Sequence, residues 1–453
     1  MKGKIALFLA AALLAGSLSG CGREEQVIYE SLASAQNDGQ SAQLVIGAYQ
    51  MEEDQEAVLE EAIQRYQADF PETEVRVERY ASQEKLAGAA ASGEADLFQV
   101  ESPQAVDYAQ RGLLRDLMEY TGMWDYEASL TEGARRAMRF MGEGAIYLVP
   151  VDFQQDALFY RTDWIEAYNE TRRGTERAYV ETWEQLVDAA GKLDRENGAG
   201  KLAISASATD EYFDSVLWST LGQGALADPA AGYFLRGEGA GTVFASDKAP
   251  EAVELFAKVM GIRLDSRQTE EEAVEAFAAG EAFALLADAR TGEALAQSMP
   301  EGSWKAAGIP QGAGEMAVFH HSWWGWGVST ASAHGEKAVH FLSFLTNSDN
   351  NTHWAKVCGA LPIYKEALHM EPTLLEGPRE VEMRMLKDAA EFRNASRPWM
   401  YQAEEAFGPV LDKALEDYLQ GGLDAAGLLG QLDAYWSEAY EAEGQRWQER
   451  QKR

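Results

Sequence analysis

The chain has 453 residues, which is more than one ordinary domain contains and predicts two or three domains. Apolar residues make up 46% of it and aromatic residues 10%, so a large core can form and overall disorder is excluded. Acidic residues number 74 against 39 basic ones, and the net charge is −35. This excess excludes nucleic acid as an expected partner, because phosphate binding requires clusters of Lys and Arg.

The first segment has the layout of a secretory signal. Lys2 and Lys4 precede an apolar run over residues 5–14, and small residues lead to "LSGC", which ends at Cys21. The run is short for a membrane-spanning helix. "LSGC" resembles a bacterial lipobox, which implies removal of residues 1–20 and a lipid on the sulfur of Cys21. The alternative is a plain secretory signal that happens to contain a cysteine.

The membrane and redox context follow from the two cysteines. An acidic surface repels anionic headgroups, so attachment to a membrane would have to come from a lipid. A lipid on Cys21 would hold the chain on the outer face of the bacterial cytoplasmic membrane. Cys358 would then have no intrachain partner, so a disulfide framework is excluded and a buried thiol is expected. Residues 21–43 are polar and predict a tether.

The first predicted domain alternates strands and helices. Short apolar or alternating runs predict strands, and apolar residues at helical spacing predict helices, the first of which closes at Pro71. The predicted order is strand 44–46, helix 52–71, strand 74–80, helix 82–92 and strand 95–100. This order predicts a layered α/β domain with a mostly parallel sheet.

The pattern continues to the end of the chain. Residues 145–160 predict one long extended run, broken at Pro150, and Thr182 with Gln185 forms a capping box at the start of a helix. Residues 201–207 predict a strand, 209–300 mainly helices, 304–312 and 323–330 extended chain, and the residues after 335 almost only helix.

Several motifs now stand in a recognisable order. They are "GEADLFQV", "QRGLLRDLMEY", "VPVDFQQDALFYRTDWIEAYN", "FAAGEAFALL" and "WWGWGVST" followed by "GEKAVHFLSFLTNSDNN". Together they resemble the extracellular solute-binding proteins of ABC importers, and most of all the sugar-binding group that includes maltose-binding proteins. The chain departs from that pattern at Arg161, where Asn is usual, and at Asp288 and Arg290, where Gly and an aromatic residue are usual.

The resemblance implies an α/β fold of the type II periplasmic-binding class. Two lobes would be linked by crossing hinge strands around a cleft, with a helical C-terminal part. Lobe 1 would hold residues 44–150 and 311–347, and lobe 2 residues 151–310 and 348–453. The resemblance also implies a monomer that captures a sugar or oligosaccharide and passes it to the transmembrane subunits of an ABC permease.

The densest aromatic stretch is "WWGWG". On a strand, Trp324 and Trp326 share one face and Trp323 takes the other, while Gly325 and Gly327 allow close approach of another backbone. A flat indole can cover the apolar face of a sugar ring. We therefore expect Trp323 or Trp324 to stack on a sugar, and the alternative is that all three indoles are core.

Polar and aromatic side chains elsewhere supply the remaining candidates. Carboxylates and amides bind sugar hydroxyls, and ligands gather at the carboxyl ends of strands in open α/β sheets. The candidate ligand-binding residues are Tyr49, Glu101, Asp152, Gln155, Tyr212, Trp218, Asp288 and Arg397, with Ser102, Gln154, Asp156, Phe213, Arg290 and Trp399 near them. The alternatives are a polar hinge surface for 152–156, a buried amphipathic helix for 212–218, and a surface salt bridge for Asp288 and Arg290.

Signatures of other chemistries are missing from the sequence. His320 and His321 would point to opposite faces of a strand, so no metal site is expected, and no cofactor is expected either. No GxSxG elbow, P-loop or complete GxGxxG occurs, which favours a protein without catalytic activity. Three alternatives stay open: a sugar-sensing co-receptor, a glycoside hydrolase using Asp152 and Asp288, and a receptor for a non-sugar solute.

Overall fold

The computed structural model describes residues 41–120, 123–141, 144–198, 200–222, 241–312, 321–367 and 401–451. The chain forms two compact units: unit 1 contains Met1–Phe153 and Trp323–Pro372, and unit 2 contains Gln154–Ser322 and Thr373–Arg453. The predictions for the signal segment, Cys21, His320, Arg397 and Trp399 fall outside the described residues.

Strands and helices are numbered in chain order over the described residues. The strands are β1 (Ala42–Ala48), β2 (Thr73–Arg79), β3 (Leu97–Glu101), β4 (Leu148–Tyr160), β5 (Leu202–Ile204), β6 (Ala284–Asp288), β7 (Lys305–Ala307) and β8 (His321–Val328). The helices are α1 (Glu53–Asp69), α2 (Gln83–Ser92), α3 (Ser102–Gln110), α4 (Met123–Ser129), α5 (Glu132–Met138), α6 (Thr162–Asn169), α7 (Trp183–Asn197), α8 (Thr209–Leu221), α9 (Ala249–Gly261), α10 (Glu270–Ala278), α11 (Thr291–Ser298), α12 (Gly335–Leu345), α13 (Ser348–Cys358), α14 (Tyr401–Leu419) and α15 (Ala425–Gln451).

The sheet of unit 1 is built around β1. Strands β2 and β3 run parallel to β1 on either side, and β8 pairs antiparallel with β3, so the order is β2-β1-β3-β8. β1 is buried along almost its whole length, whereas β2 alternates buried and exposed residues at its start. A central strand covered on both faces and an outer strand covered on one explain these two patterns.

One buried carboxylate joins three parts of the unit 1 sheet. Asp96 Oδ2 accepts a hydrogen bond from Val45 N at 2.9 Å, and its Oδ1 accepts one from Ser332 Oγ at 2.5 Å. The carbonyl of Asp96 accepts a third from Ser329 N. Asp96 therefore ties the start of β3 to β1 and to the turn after β8, which gives the Asp of "GEADLFQV" a structural role.

Helix α1 packs on the sheet through the apolar stripe that its sequence predicts. Val58, Leu59, Ile63 and Tyr66 are buried along it. Both α12 and α13 pack against α1, and α12 does so through ring contacts of Tyr66. Helix α13 therefore belongs to unit 1, whereas the sequence places residues from 348 onward in lobe 2.

Unit 2 has a second sheet, in the order β7-β4-β6-β5. β6 and β7 pair antiparallel with β4, and β5 runs parallel to β6. A large apolar core lies against this sheet, with the rings of Trp183, Phe213, Phe256 and Trp436 fully buried in it. Helices α14 and α15 complete the unit, and α15 packs on α14 and α9.

Two predicted features differ from the structure. β4 runs without interruption from Leu148 to Tyr160, so Pro150 does not break it. β6 lies inside the stretch 209–300 that reads mainly as helix. Its residues 284–287 are all buried, and a short strand covered on both faces has no alternation to reveal it.

No helix of the described residues is long and apolar enough to cross a membrane.

Candidate functional site

The first group of candidate side chains lies at one edge of the unit 1 sheet. β1 and β3 are parallel, so Tyr49, which follows β1, and Glu101, which ends β3, lie at the same edge. β8 runs antiparallel to β3 and brings Trp324 opposite Glu101. The structure therefore brings together three residues that the sequence predicts separately.

Side-chain amides fix the backbone at this edge. Gln99 Oε1 accepts a hydrogen bond from Tyr49 N at 2.9 Å, so the chain leaving β1 is held to β3. Gln50, the next residue, has φ 49°, in the left-handed region. Such a conformation is uncommon for a residue other than glycine, and strained backbone of this kind clusters at functional sites.

Asp152 belongs to the same part of unit 1. Its side chain is fully buried on β4, and its Oδ2 accepts a hydrogen bond from Gln55 Nε2 at 3.1 Å. Gln55 lies in the first turn of α1, and its Oε1 accepts from Glu52 N at 3.0 Å. Asp152 is thus joined through Gln55 to the loop that follows Tyr49.

The three tryptophans of β8 are largely buried. Their exposed fractions are 3% for Trp323, 7% for Trp324 and 0% for Trp326. The rings of Trp324 and Trp326 meet at 5.4 Å, as expected for alternate residues on one face of a strand. The ring of Trp323 lies 6.2 Å from that of Phe140, and its Nε1 is buried without a hydrogen-bond partner among the described residues, as are the Nε1 atoms of Trp326 and Trp354.

The glycines of "WWGWG" allow close packing, as the sequence predicts. A Cβ on Gly325 would lie 2.3 Å from the carbonyl oxygen of Val149 in β4. A Cβ on Gly327 would lie 2.3 Å from the side chain of Leu114. A side chain at position 325 would push β8 away from the backbone of β4, whereas one at position 327 would first displace the end of the Leu114 side chain.

Unit 2 contains a separate group of carboxylates. Asp156 of β4 and Asp288 of β6 are register partners, and the hydroxyl of Tyr212 donates to Asp156 Oδ2 at 2.6 Å. Asp288 Oδ1 accepts from the backbone N of Arg290 at 2.7 Å and from its Nε at 3.3 Å. Ala289 N donates to the carbonyl of Gln155, so that residue also lies beside this group.

Burial and neighbouring charges determine the protonation state of Tyr212 in this group. Burial is the first cause that raises the pKa of Tyr212 well above its ordinary value, and the charge of Asp156 is the second. Tyr212 therefore stays a neutral hydrogen-bond donor. Asp288 and Arg290 form a salt bridge, which is the alternative to a ligand-binding role for these two residues.

The remaining predicted residues occupy other surroundings. Trp218 is fully buried in the apolar core of unit 2 with its neighbour Phe213, which corresponds to the buried-helix alternative for α8. Tyr212 shares that core and meets the ring of Trp183 at 6.5 Å, while its hydroxyl reaches Asp156. Among the described residues, no group of three or more His, Cys, Asp or Glu side chains could hold a metal ion.

Three residues of unit 1 were not predicted from the sequence. Gln55 and Gln99 orient the loop after β1, and the ring of Trp354 on α13 lies 5.5 Å from that of Trp324. Both glutamines are buried in the structure, and no sequence pattern distinguishes them from other glutamines. For Trp354 the signal is its helical spacing with Cys358.

A comparison with family models shows the family of this chain. A family model described as "Bacterial extracellular solute-binding protein" matches residues 61–374. A curated lactose-binding protein of Rhizobium radiobacter is 23% identical over 309 residues, which are 65% of this chain and 68% of that protein.

Solved structures share the fold. A maltose-bound structure of T. maritima MalE3 has 21% identity and a TM-score of 0.64, and the match covers 86% of this chain and 98% of that one. The cyclic alpha-maltosyl-1,6-maltose binding protein of Arthrobacter globiformis has 16% identity and a TM-score of 0.67, over 88% and 99%. These matches confirm the two-lobed α/β fold that the sequence predicts.

Proposed function

The chain belongs to the family of bacterial extracellular solute-binding proteins, and from that membership we propose that it captures a sugar or oligosaccharide and delivers it to an ABC permease. The observation that carries the sugar assignment is the edge of the unit 1 sheet, where indoles lie beside a carboxylate and a tyrosine. Aromatic faces cover the C–H surface of a sugar ring, and carboxylates accept from its hydroxyls.

The relatives support the same class of ligand. The curated relative is a lactose-binding protein, and the solved structures include proteins that bind maltose and a cyclic maltosyl-maltose. In our proposal unit 1 supplies Trp323, Trp324, Tyr49 and Glu101, and Asp152 supports them from β4.

Unit 2 offers a second set of polar groups suited to sugar hydroxyls in this proposal. These are the carboxylates of Asp156 and Asp288, the guanidinium of Arg290 and the hydroxyl of Tyr212. Capture in this proposal is a population shift towards the conformations that bind the sugar, driven by differential affinity. No step of this cycle breaks a bond of the sugar.

The test is calorimetric titration of the purified protein with lactose, maltose and maltotetraose, with chromatography of the sugars after incubation. We expect saturable binding of at least one sugar and no released products. Trp323→Ala and Trp324→Ala, tested singly, should weaken binding by about tenfold where the ring stacks on sugar. Unchanged affinity in both variants would remove the stacking role, and released monosaccharides would favour a hydrolase instead.

We also propose that the chain is anchored by a lipid on Cys21. The support is the lipobox resemblance of residues 18–21. Expression of the full chain and of Cys21→Ser in a bacterial host, with membrane fractionation and mass spectrometry, tests it. The parent should sediment with membranes and carry acyl mass, and the variant should be released. An unmodified parent would contradict the anchor without affecting the sugar assignment.

A further inference from the structure

Three indoles of unit 1 pack edge against face. The ring of Trp324 meets that of Trp326 at 5.4 Å with 86° between their planes, and it meets that of Trp354 at 5.5 Å with 75°. Perpendicular contacts of this kind are favoured because the positive edge of one ring faces the negative face of the other. Trp324 is therefore held on two sides by other tryptophans.

The two neighbours of Trp324 come from different elements. Trp326 follows on the same strand, so its position is set by β8 and its pairing with β3. Trp354 lies on α13, which begins at the side-chain cap of Asn347 and packs against α1. His353 on the same helix lies 3.0 Å from Glu61 of α1. The ring of Trp354, which is 4% exposed, is thus placed by a helix anchored outside the strand.

This arrangement limits the freedom of the Trp324 ring. An indole without such neighbours can rotate about two side-chain torsions, and ordering it on binding weakens the affinity. Packing on two sides establishes the orientation before any ligand arrives. Glu101, directly across the β3–β8 ladder, then has a fixed aromatic neighbour.

We infer that Trp354 is a positioning residue of the sugar site, which together with Trp326 holds the Trp324 ring in the orientation that contacts the ligand. The inference rests on the proposed function, because that function places a sugar at Trp324. Trp354 itself does not touch the ligand. Its contribution is to the geometry of Trp324, so its loss should weaken binding without removing a ligand contact.

The experiment measures ring position and affinity separately. The protein is labelled with 5-fluorotryptophan, and Trp324→Phe identifies the fluorine resonance of Trp324 among those of the 12 tryptophans. In Trp354→Leu, without ligand, that resonance should shift and broaden, and Trp354→Phe should restore much of its position because a ring is retained. Affinity for lactose, maltose and maltotetraose should fall by about three- to tenfold in Trp354→Leu and less in Trp354→Phe.

A matched control comes from unit 2. Trp436 is fully buried and its ring lies 5.0 Å from that of Phe407. Trp436→Leu should lower thermal stability as Trp354→Leu does, yet leave the Trp324 resonance and the affinity unchanged. Should Trp354→Leu fail to fold, Trp354→Phe supplies both measurements at a smaller amplitude.

The outcomes separate the two proposals. An unmoved Trp324 resonance in both Trp354 variants overturns the inference, and so does a moved resonance with unchanged affinity. If the parent binds none of the three sugars, the proposed function fails on that result and the role of Trp354 in binding fails with it. The resonances then still decide whether Trp354 orients the Trp324 ring.

Discussion

The candidate groups of the two units are chemically different. In unit 1 they are indoles and a tyrosine beside a carboxylate, and backbone-to-amide hydrogen bonds such as Tyr49 N to Gln99 Oε1 hold the chain around them. In unit 2 they are Asp156 and Asp288, held by a tyrosine hydroxyl and a guanidinium. The indoles of unit 1 offer apolar surface, whereas the carboxylates of unit 2 offer directed hydrogen-bond acceptors.

The largest expected difference between the two units is the loss of stability of unit 1 at acid pH. Burial and the charge of Lys337 lower the pKa of His340 to about 4, against the partial opposing effect of Glu72. His340 Nδ1 lies 2.7 Å from the hydroxyl of Tyr66, and the two atoms share a hydrogen bond. The unfolded chain binds the proton near pH 6.5 and the folded chain near pH 4. Stability from this residue is therefore complete above pH 6.5 and lost as the pH falls to about 4.

We expect unit 1 to lose up to about 3 kcal/mol of unfolding free energy across this window. Hydrogen exchange of α1 and α12, followed by mass spectrometry at a series of pH values, measures it locally. The double variant Tyr66→Phe/His340→Phe replaces both partners by rings of similar shape and should remove the pH dependence. An equal loss in the double variant would assign the acid sensitivity to other groups.

In unit 2 the corresponding weak point is Asp156. Asp156→Ala should lower the unfolding free energy by about 2 kcal/mol, because the buried hydroxyl of Tyr212 loses its acceptor. Urea denaturation, with hydrogen exchange of α8 as the local probe, measures the loss. In the double variant Asp156→Ala/Tyr212→Phe much of that loss should be absent, because no buried hydroxyl is left without an acceptor. Strictly additive losses would show that the two side chains do not interact in solution.

The position of the unit 1 tryptophans depends on a glycine. Gly325→Ala would place a methyl group 2.3 Å from the carbonyl oxygen of Val149, so β8 must move away from β4. We expect a loss of about 1–2 kcal/mol by thermal unfolding, together with weaker sugar binding. Gly88→Ala is the control, because a Cβ there meets nothing within 4 Å on a helix. A Gly325→Ala protein as stable as the parent would contradict the tight contact.

Local patterns predicted much of this molecule. The apolar stripe of α1 and the capping box of Thr182 and Gln185 are where the sequence places them, since both depend on residues a few positions apart. Strand ends also predicted that Tyr49 and Glu101 follow neighbouring strands, but the pairing of Trp324 with Glu101 was not predicted. The contact of Trp354 with Trp324 and the membership of α13 in unit 1 were not predicted. They depend on packing between distant segments, which leaves no periodic signal in the chain.

The smallest expected effect concerns the loop that follows β1 in unit 1. Gln50 is the one residue other than glycine with positive φ among those described, and left-handed backbone carries strain for a residue with a Cβ. Gln50→Gly relieves this strain but adds entropy to the unfolded chain, so a net gain of about 0.5 kcal/mol in thermal stability is expected. Gln50→Val should lose more than that, because a β-branched residue tolerates this backbone poorly. If the Gln50 side chain also contacts the sugar, Gln50→Gly will weaken binding while it stabilises the fold. A gain in both thermal stability and sugar affinity would show that the loop serves only to place Tyr49.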